Sequence, residues 1–487
     1  MANAEHVRLL LSPEWAGWRA SNPRIVPDLV EAELAGKDLH GADLSHAVLM
    51  RTDLQGANLS RANLAYAQVD GAFLSGAILD GADCTGIHFD LLEVRNCSLK
   101  HAVLTSATFR GADFTGSDLE GANLSQVSFD GAILERANLT GADMTGASLR
   151  GARLEKAILV GANLQGAVLE GVNLEGLDLS GADLKDAQGT RVQLPDATLV
   201  GTHFHKANLR EANFLRANLK NANFDGADIS HSTLRLANLE GALLINCDAQ
   251  AADFREAELL GAELNGVQLA AAQMTGIDFR SPKLGRVSLV RANLTGATFR
   301  SCNLRTFRFE QARLEGADMR EVNLENANLE GAVLIGANLR GSRLRQASLA
   351  RAVVVDADIS GCDLILADLS NADFTRADLR FSKLVGANCS HTRFSFADCQ
   401  KADFTKAAIG TANFWGARLA GTKMALAGLH WRVGRILTAM LTARQRKRQE
   451  REKREQQRRI RETVRLVREL EEKDPHLRRQ TQRTARK

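Results

Sequence analysis

A large apolar residue recurs at every fifth position from Leu29 to Met424, with no insertion to break the register. Of the 80 positions in that series, 75 are Leu, Phe, Ile, Val or Met, the exceptions being Cys84, Gly189, Ala249, Cys389 and Cys399. Two residues earlier runs a second series that is mostly Ala, as at Ala42, Ala47, Ala57, Ala62, Ala122, Ala142, Ala162, Ala327 and Ala337. The residue between them is often Asp or Asn, and the one two places after is often Gly, so the unit reads A(D/N)LxG. A period of five fits neither the 3.6 of a helix nor the 2.0 of a strand.

A large side chain every fifth residue with a small one two before it describes a square coil. Each side is one quintet, each turn is twenty residues, and both series point inward, where there is no room for two large residues side by side. Eighty quintets make twenty coils, and a strand spacing of about 4.8 Å predicts a rod roughly 95 Å long. Leu44, Leu54, Leu59 and Leu64 belong to its core. Stacking at twenty residues predicts core ladders of Phe89, Phe109 and Phe129, of Phe204 and Phe224, of Phe279 and Phe299, and of Phe374, Phe394 and Phe414. Internal repetition overrides the length prior, by which 487 residues would suggest about three domains.

The stretch 29–424 resembles the pentapeptide-repeat family throughout, and ADLSHAVLMRTDLQGANLSRANL is close to that family's consensus. The resemblance implies an all-β solenoid, a right-handed quadrilateral β-helix. It implies little about function, since the family includes proteins of unknown role beside topoisomerase-binding resistance proteins and bacterial effectors.

The pattern frays where the small position turns bulky. Ile87, Val127, Val267, Val287 and Phe307 do so on one side of the coil, where the wall is expected to bulge. Gly189, small where a large residue belongs, is followed by Pro195, which makes 186–196 the expected kink.

A solenoid needs capping, because its end coils would expose apolar interior and unpaired edges. Residues 1–28, with Leu9, Leu10, Leu11, Trp15 and Trp18 ahead of NPRIVPDL, read as a short helix and turn closing the first coil. Beyond the rod, Leu429, Val433, Ile436, Leu437, Met440 and Leu441 recur at three- and four-residue spacing, an amphipathic helix over 425–443 that caps the last coil or pairs with a second chain. The resemblance adds a homodimer through such a C-terminal helix. From Arg444 to Lys487, 18 Lys and Arg stand against 8 Asp and Glu, so this tail, with Arg446, Lys447, Arg448, Arg458 and Arg459, is strongly basic. Because the whole chain carries +4, the remainder is mildly acidic at −6.

Charge is banded along the rod. Between 280 and 351 stand 13 basic and 6 acidic residues, whereas Asp356, Asp358, Asp363, Asp368, Asp373 and Asp378 ring the rod just beyond.

No phosphate loop, HExxH or GxSxG occurs, and a regular rod offers no concave site, so the sequence points away from an enzyme and to no cofactor. All seven Cys fall on inward positions and read as core filler, with no zinc spacing. His203 and His205 flank Phe204 and face outward as solvated side chains, without a third metal ligand nearby in sequence. The N-terminus has no secretory pattern, no apolar run approaches a membrane span, and the Cys number is odd, so the expected compartment is the cytoplasm.

The expected function is a non-catalytic scaffold for a protein partner. Two alternatives accompany it: a DNA mimic acting on a type II topoisomerase, and tethering to nucleic acid or an anionic membrane through the tail.

Overall fold

Each five-residue unit satisfies its own backbone, which is why the pattern folds as it does. In the quintet 57–61, Ala57 N–H donates to Leu54 O across the turn (3.0 Å), and Asn58 N–H reaches back a coil to Lys37 O (2.9 Å). Leu59 and Arg61 N–H reach forward a coil to Ile78 O (2.7 Å) and Asp80 O (2.8 Å). The fifth donor, Ser60 N–H, is taken by the Asn58 side chain at 3.1 Å. The Asp or Asn of the unit is therefore there to satisfy the one N–H that the coil leaves over.

The computed structural model describes residues 2–424. Parallel bridges join residues twenty apart, from Asp28 with Val48 to Asp403 with Lys423, so four quintets close one turn. Every fifth residue from Glu31 to Lys406 turns its corner in the left-handed region, with φ between 51° and 79°, except Ser281 and Arg286. A turn closed by a hydrogen bond three residues back, with positive φ at its third residue, is the type II geometry. Glycine is not obligatory there, since Tyr66, Arg136, Lys206 and many others adopt it. At some corners glycine has a second reason. A Cβ on Gly86 would fall 2.5 Å from the Tyr66 ring, which lies across it from the coil before.

The two inward series make the core. Leu44, Leu54, Leu59, Leu64, Phe109, Phe129 and Phe394 are buried. Phe414, in the last described coil, is half-buried, because its stack has no further described residue above it. All the expected ladders are in contact: Phe204 and Phe224 stack at 4.8 Å, Phe279 and Phe299 at 4.5 Å, Phe394 and Phe414 at 4.9 Å. Rings on neighbouring sides also meet edge-on, as Phe109 does Phe114 at 4.9 Å.

The bulge expected on the side of Ile87, Val127, Val267, Val287 and Phe307 is not continuous, since after them only His88 lacks a bridge to the coil below while Ser128, Gln268, Ser288 and Arg308 keep theirs. Where Ile87, Leu92, Val172 and Ile277 sit above Ala, the next residue forms no bridge to the coil below: His88, Glu93, Asn173 and Asp278 are unbridged on that side. Where Val192 sits above Val172 the bond survives, from Gln193 N–H to Val172 O (2.9 Å).

The expected kink at 186–196 is not there. Gln188 and Gln193 bridge to both neighbouring coils, and Asp186, Arg191 and Asp196 keep the left-handed corner. Leu209 from the next coil lies where a Gly189 side chain would stand, which fills the gap. Pro195 occupies the unit's leftover N–H position, where nothing in the ladder is lost, and its carbonyl still accepts from Gly176. The break lies instead at 281–286, where Pro282 stands in the small series. Its missing N–H removes the turn bond to Phe279 O, the bridge between Lys283 and Asn303 is missing, and Leu284 is only half-buried.

Two helices, not one, precede the first coil: α1 (Ala4–Leu10), capped by the Asn3 side chain, and α2 (Trp15–Ser21). They meet the free edge with matched groups. Asn3 N–H donates to Asp28 O (3.1 Å), and Asp28 N–H donates to His6 Nδ1 (3.0 Å). Buried Arg19 clamps Asp43 Oδ2 (3.2 Å), Ile25 O and Ser45 O. Burial pushes the Asp43 carboxyl up, but hydrogen bonds from Ser45 and the Arg19 guanidinium outweigh it and hold the group below its ordinary range.

Candidate interaction surface

Because successive coils stack in register, outward side chains form columns that run along the rod, one residue per coil. Each side offers a flat row from the Asp/Asn position and two corner rows. Side-chain contacts between coils are therefore made at separations near twenty residues, which a local reading of charge does not see. The Asp ring at 353–378 shows this: Asp356 pairs with Arg376 (2.5 Å), Asp363 with Arg345 (3.4 Å) and Asp373 with Arg393 (2.8 Å), while Asp378 pairs locally with Arg380 (2.6 Å). The Arg376 hydrogen bond holds the Asp356 carboxyl below its ordinary range.

The basic band at 280–351 resolves differently. One side has the flat row Asp43, Asn63, Asp83 and onward, with the leading corner row His40, Ser60, Asp80 and onward. On that side and its two corners, 280–351 places nine cations and two carboxylates, while the remaining sides carry four of each. The whole excess of the band thus lies on one side. Its corner row reads Arg280, Arg300, Arg320, Arg340 over four consecutive coils. Arg280 and Arg320 are held by Asp278 (2.5 Å) and Asp318 (2.6 Å), whereas exposed Arg300, Arg340 and Arg343 form no ion pair among the described residues. Reading the charges at a spacing of twenty would have found this row in the sequence; reading them as a band did not.

The inward polar groups are satisfied structurally. Thr52, Thr202 and Ser342 in the small series each donate to a carbonyl of the coil below at 2.6–2.9 Å. Cys97 and Cys362 do the same at 2.9 Å. Six Cys are buried and Cys302, stacked on Pro282, is half-buried. Burial pushes the thiols of Cys97 and Cys302 up to about 11, and those of Cys362, Cys389 and Cys399 up to about 12. None is poised as a nucleophile.

His205 lies 3.4 Å from Asp225, and no group of three metal-ligating side chains forms among the described residues. An open cleft between Pro13, Trp15, Arg19 and the first-coil residues 38–43 is the seam of the cap, its polar groups engaged by the clamp. No described helix is long and apolar enough to cross a membrane. The amphipathic helix of Leu429 to Leu441 and the basic tail of Arg446 to Arg459 lie outside the described residues.

A family model described as pentapeptide repeats matches segments from 28–64 through 372–407, together most of the chain. The chain belongs to the pentapeptide-repeat family. In that family the coil is a right-handed quadrilateral β-helix. No curated protein sequence matches the chain. Among solved structures it is similar to HetL, a pentapeptide repeat protein involved in heterocyst differentiation regulation in the cyanobacterium Nostoc sp. strain PCC 7120. Identity there is 25%, over 55% of this chain and 90% of that one, with a TM-score of 0.16. It is similar also to QnrB1, a plasmid-mediated fluoroquinolone resistance protein, at 22% identity over 53% and 89% of the two chains and a TM-score of 0.19. A pentapeptide repeat protein of the Arabidopsis thaliana thylakoid lumen matches at 26% identity over 28% and 70%, with a TM-score of 0.14.

Proposed function

We propose that this pentapeptide-repeat protein is a non-catalytic, cytoplasmic protein-binding scaffold of about twenty coils, with the segment 425–487 serving oligomerisation or attachment. The observation that carries the reading is the corner geometry repeated from Glu31 to Lys406 with a single interruption. It places outward side chains in fixed columns on a rigid support, which suits recognition of an extended partner surface. The groups that catalysis would need are engaged elsewhere: six of the seven thiols are buried, and inward hydroxyls donate to carbonyls. Unpaired thiols throughout also suit a reducing compartment.

DNA mimicry is the weaker reading, because three of the six Asp at 356–378 are paired with Arg from neighbouring coils and one side carries an arginine row. Tethering by the tail rests on its net charge of +10. Affinity purification from the native cell, with the full chain and with 425–487 removed, tests the assignment. Recovery of the same protein partner by both supports it; a partner recovered only through the tail overturns it.

A further inference from the structure

The side that carries the arginine row is charged in the opposite sense nearer the N-terminus. Its flat row there holds Asp43, Asp83 and Asp143, and its corner row holds Asp80 and Glu120. Between the two halves the corner row runs Val160, Ser180, Val200, Lys220, Glu240 and Leu260, with Lys220 and Glu240 paired to each other at 3.0 Å and Leu260 57% exposed. A corner row with carboxylates near one end, arginines near the other and no net charge between is the pattern of a surface complementary to its own reverse.

We propose that this side is the contact between two copies of the chain, laid side by side and antiparallel about a two-fold axis. Such an axis lies in the contact plane and across the rods, so each column faces the same column running the other way, as an isologous interface requires. With the coil of Asp83 set against that of Arg343, the corner row opposes Asp80 to Arg340 and Glu120 to Arg300. The flat row opposes Asp83 to Arg343, and also Asp43 to Lys383 and Asp143 to Lys283, although Asp43 is held by Arg19 and Lys283 by Glu263 in their own chain. Arg300, Arg340 and Arg343, which form no ion pair among their own chain's described residues, each face a carboxylate, that of Glu120 shared with Lys100 (3.1 Å), and Val160 meets Leu260. The two-fold repeats every pair.

The register is specific. In these two rows the only opposed pair of Lys and Arg is Lys100 with Arg320. Each is held in its own chain, Lys100 by Asp118 (2.9 Å) and Glu120 (3.1 Å) and Arg320 by Asp318 (2.6 Å). A shift of one coil in one direction brings Asp83 onto Asp363 and Asp43 onto Asp403; in the other it brings Asp43 onto Asp363 and Asp143 onto Glu263. Like charges then replace the matched pairs, so repulsion rejects the neighbouring registers. The common pitch of about 4.8 Å allows all pairs to be in register at once, since both copies are ruled by the same strand spacing.

Sedimentation velocity of the full chain at about 50 mM and about 500 mM salt tests the proposal, because rim charges make association salt-sensitive. The dimer is expected at low salt and is weakened at high salt. Arg340→Glu with Arg343→Glu should raise the dimer dissociation constant at least tenfold, and adding Asp80→Arg with Asp83→Arg in the same chain should restore it, which a folding defect would not do. Asp80→Cys with Arg340→Cys should give a covalent dimer with a short bis-maleimide, while either change alone should not.

A monomer at low salt overturns the proposal. So does a dimer indifferent to the reversal, as pairing through 425–443 would give, or cross-linking by Asp80→Cys alone, the parallel arrangement. Loss of duplex DNA binding on Arg340→Glu with Arg343→Glu, in a chain that never self-associates, assigns the row to a polyanion instead. None of these outcomes bears on whether a separate protein partner is captured, so this inference and the scaffold reading fail independently.

Discussion

Two prolines interrupt the same ladder, and only one disturbs it. Pro195 stands one place after a large core residue, where the unit's N–H is normally left to a side chain, and the coil around it keeps its corners and bridges. Pro282 stands in the small series, where the N–H closes the turn. There two successive corners leave the left-handed region, and Gly266 N–H bonds to Arg286 O instead of to the expected residue one earlier. What decides tolerance is the position within the five-residue unit, since a proline costs only the donor that its position would have used.

The largest expected effect comes from moving the proline. Ala197→Pro puts the ring in the small series of the regular coil and removes the bond from Ala197 N–H to Leu194 O, 3.3 Å long. A loss of about 2–3 kcal/mol is expected in chemical denaturation. An unchanged midpoint would show that position does not matter.

Next is the exposure that Pro282 leaves above it. In the folded protein Cys302 should be alkylated by iodoacetamide at least about tenfold faster than the other six thiols, which await unfolding. With its thiol pushed up to about 11, its labelling rate should climb with pH across the range 8–10. Mass spectrometry of the labelled peptides reads both.

Restoring the donor should do less. Pro282→Ala regains a hydrogen bond of about 1 kcal/mol, offset by roughly 0.5 kcal/mol of added freedom in the unfolded chain. A small rise in melting temperature is expected, with slower hydrogen exchange at Lys283 to Arg286 and slower alkylation of Cys302.

The smallest effects belong to the ion pairs that flank the two prolines. The Arg216 guanidinium holds Asp196 below its ordinary range, and Arg280 does the same for Asp278. A carboxyl lowered on folding stabilises above its unfolded value of about 4 and loses that contribution as pH falls through the folded value. Asp196→Asn and Asp278→Asn should therefore lower the melting temperature slightly at neutral pH, with the difference vanishing in acid. A difference that persists in acid would assign the effect to something other than charge.

Much of this was legible one residue at a time. The inward series, the phenylalanine ladders and the inward place of every Cys follow from position in a strict period of five, because a side chain's direction is set by its place in the unit. The two capping helices could be foreseen only as a closure, since their matched bonds to Asp28 depend on where the chain returns. The kink was misplaced at Gly189 because a missing side chain looks like a gap in sequence, whereas Leu209 fills it from the coil above.

The sequence by itself determined the coil and its contents. Local turn sterics and burial act within five residues, and the pattern repeats them without a break. Tertiary structure alone decided that Leu209 fills the gap at Gly189 and that Asp356 and Asp373 are paired by Arg376 and Arg393. Those outcomes turn on atoms about twenty residues apart, brought within hydrogen-bonding reach only when one coil is laid upon the next.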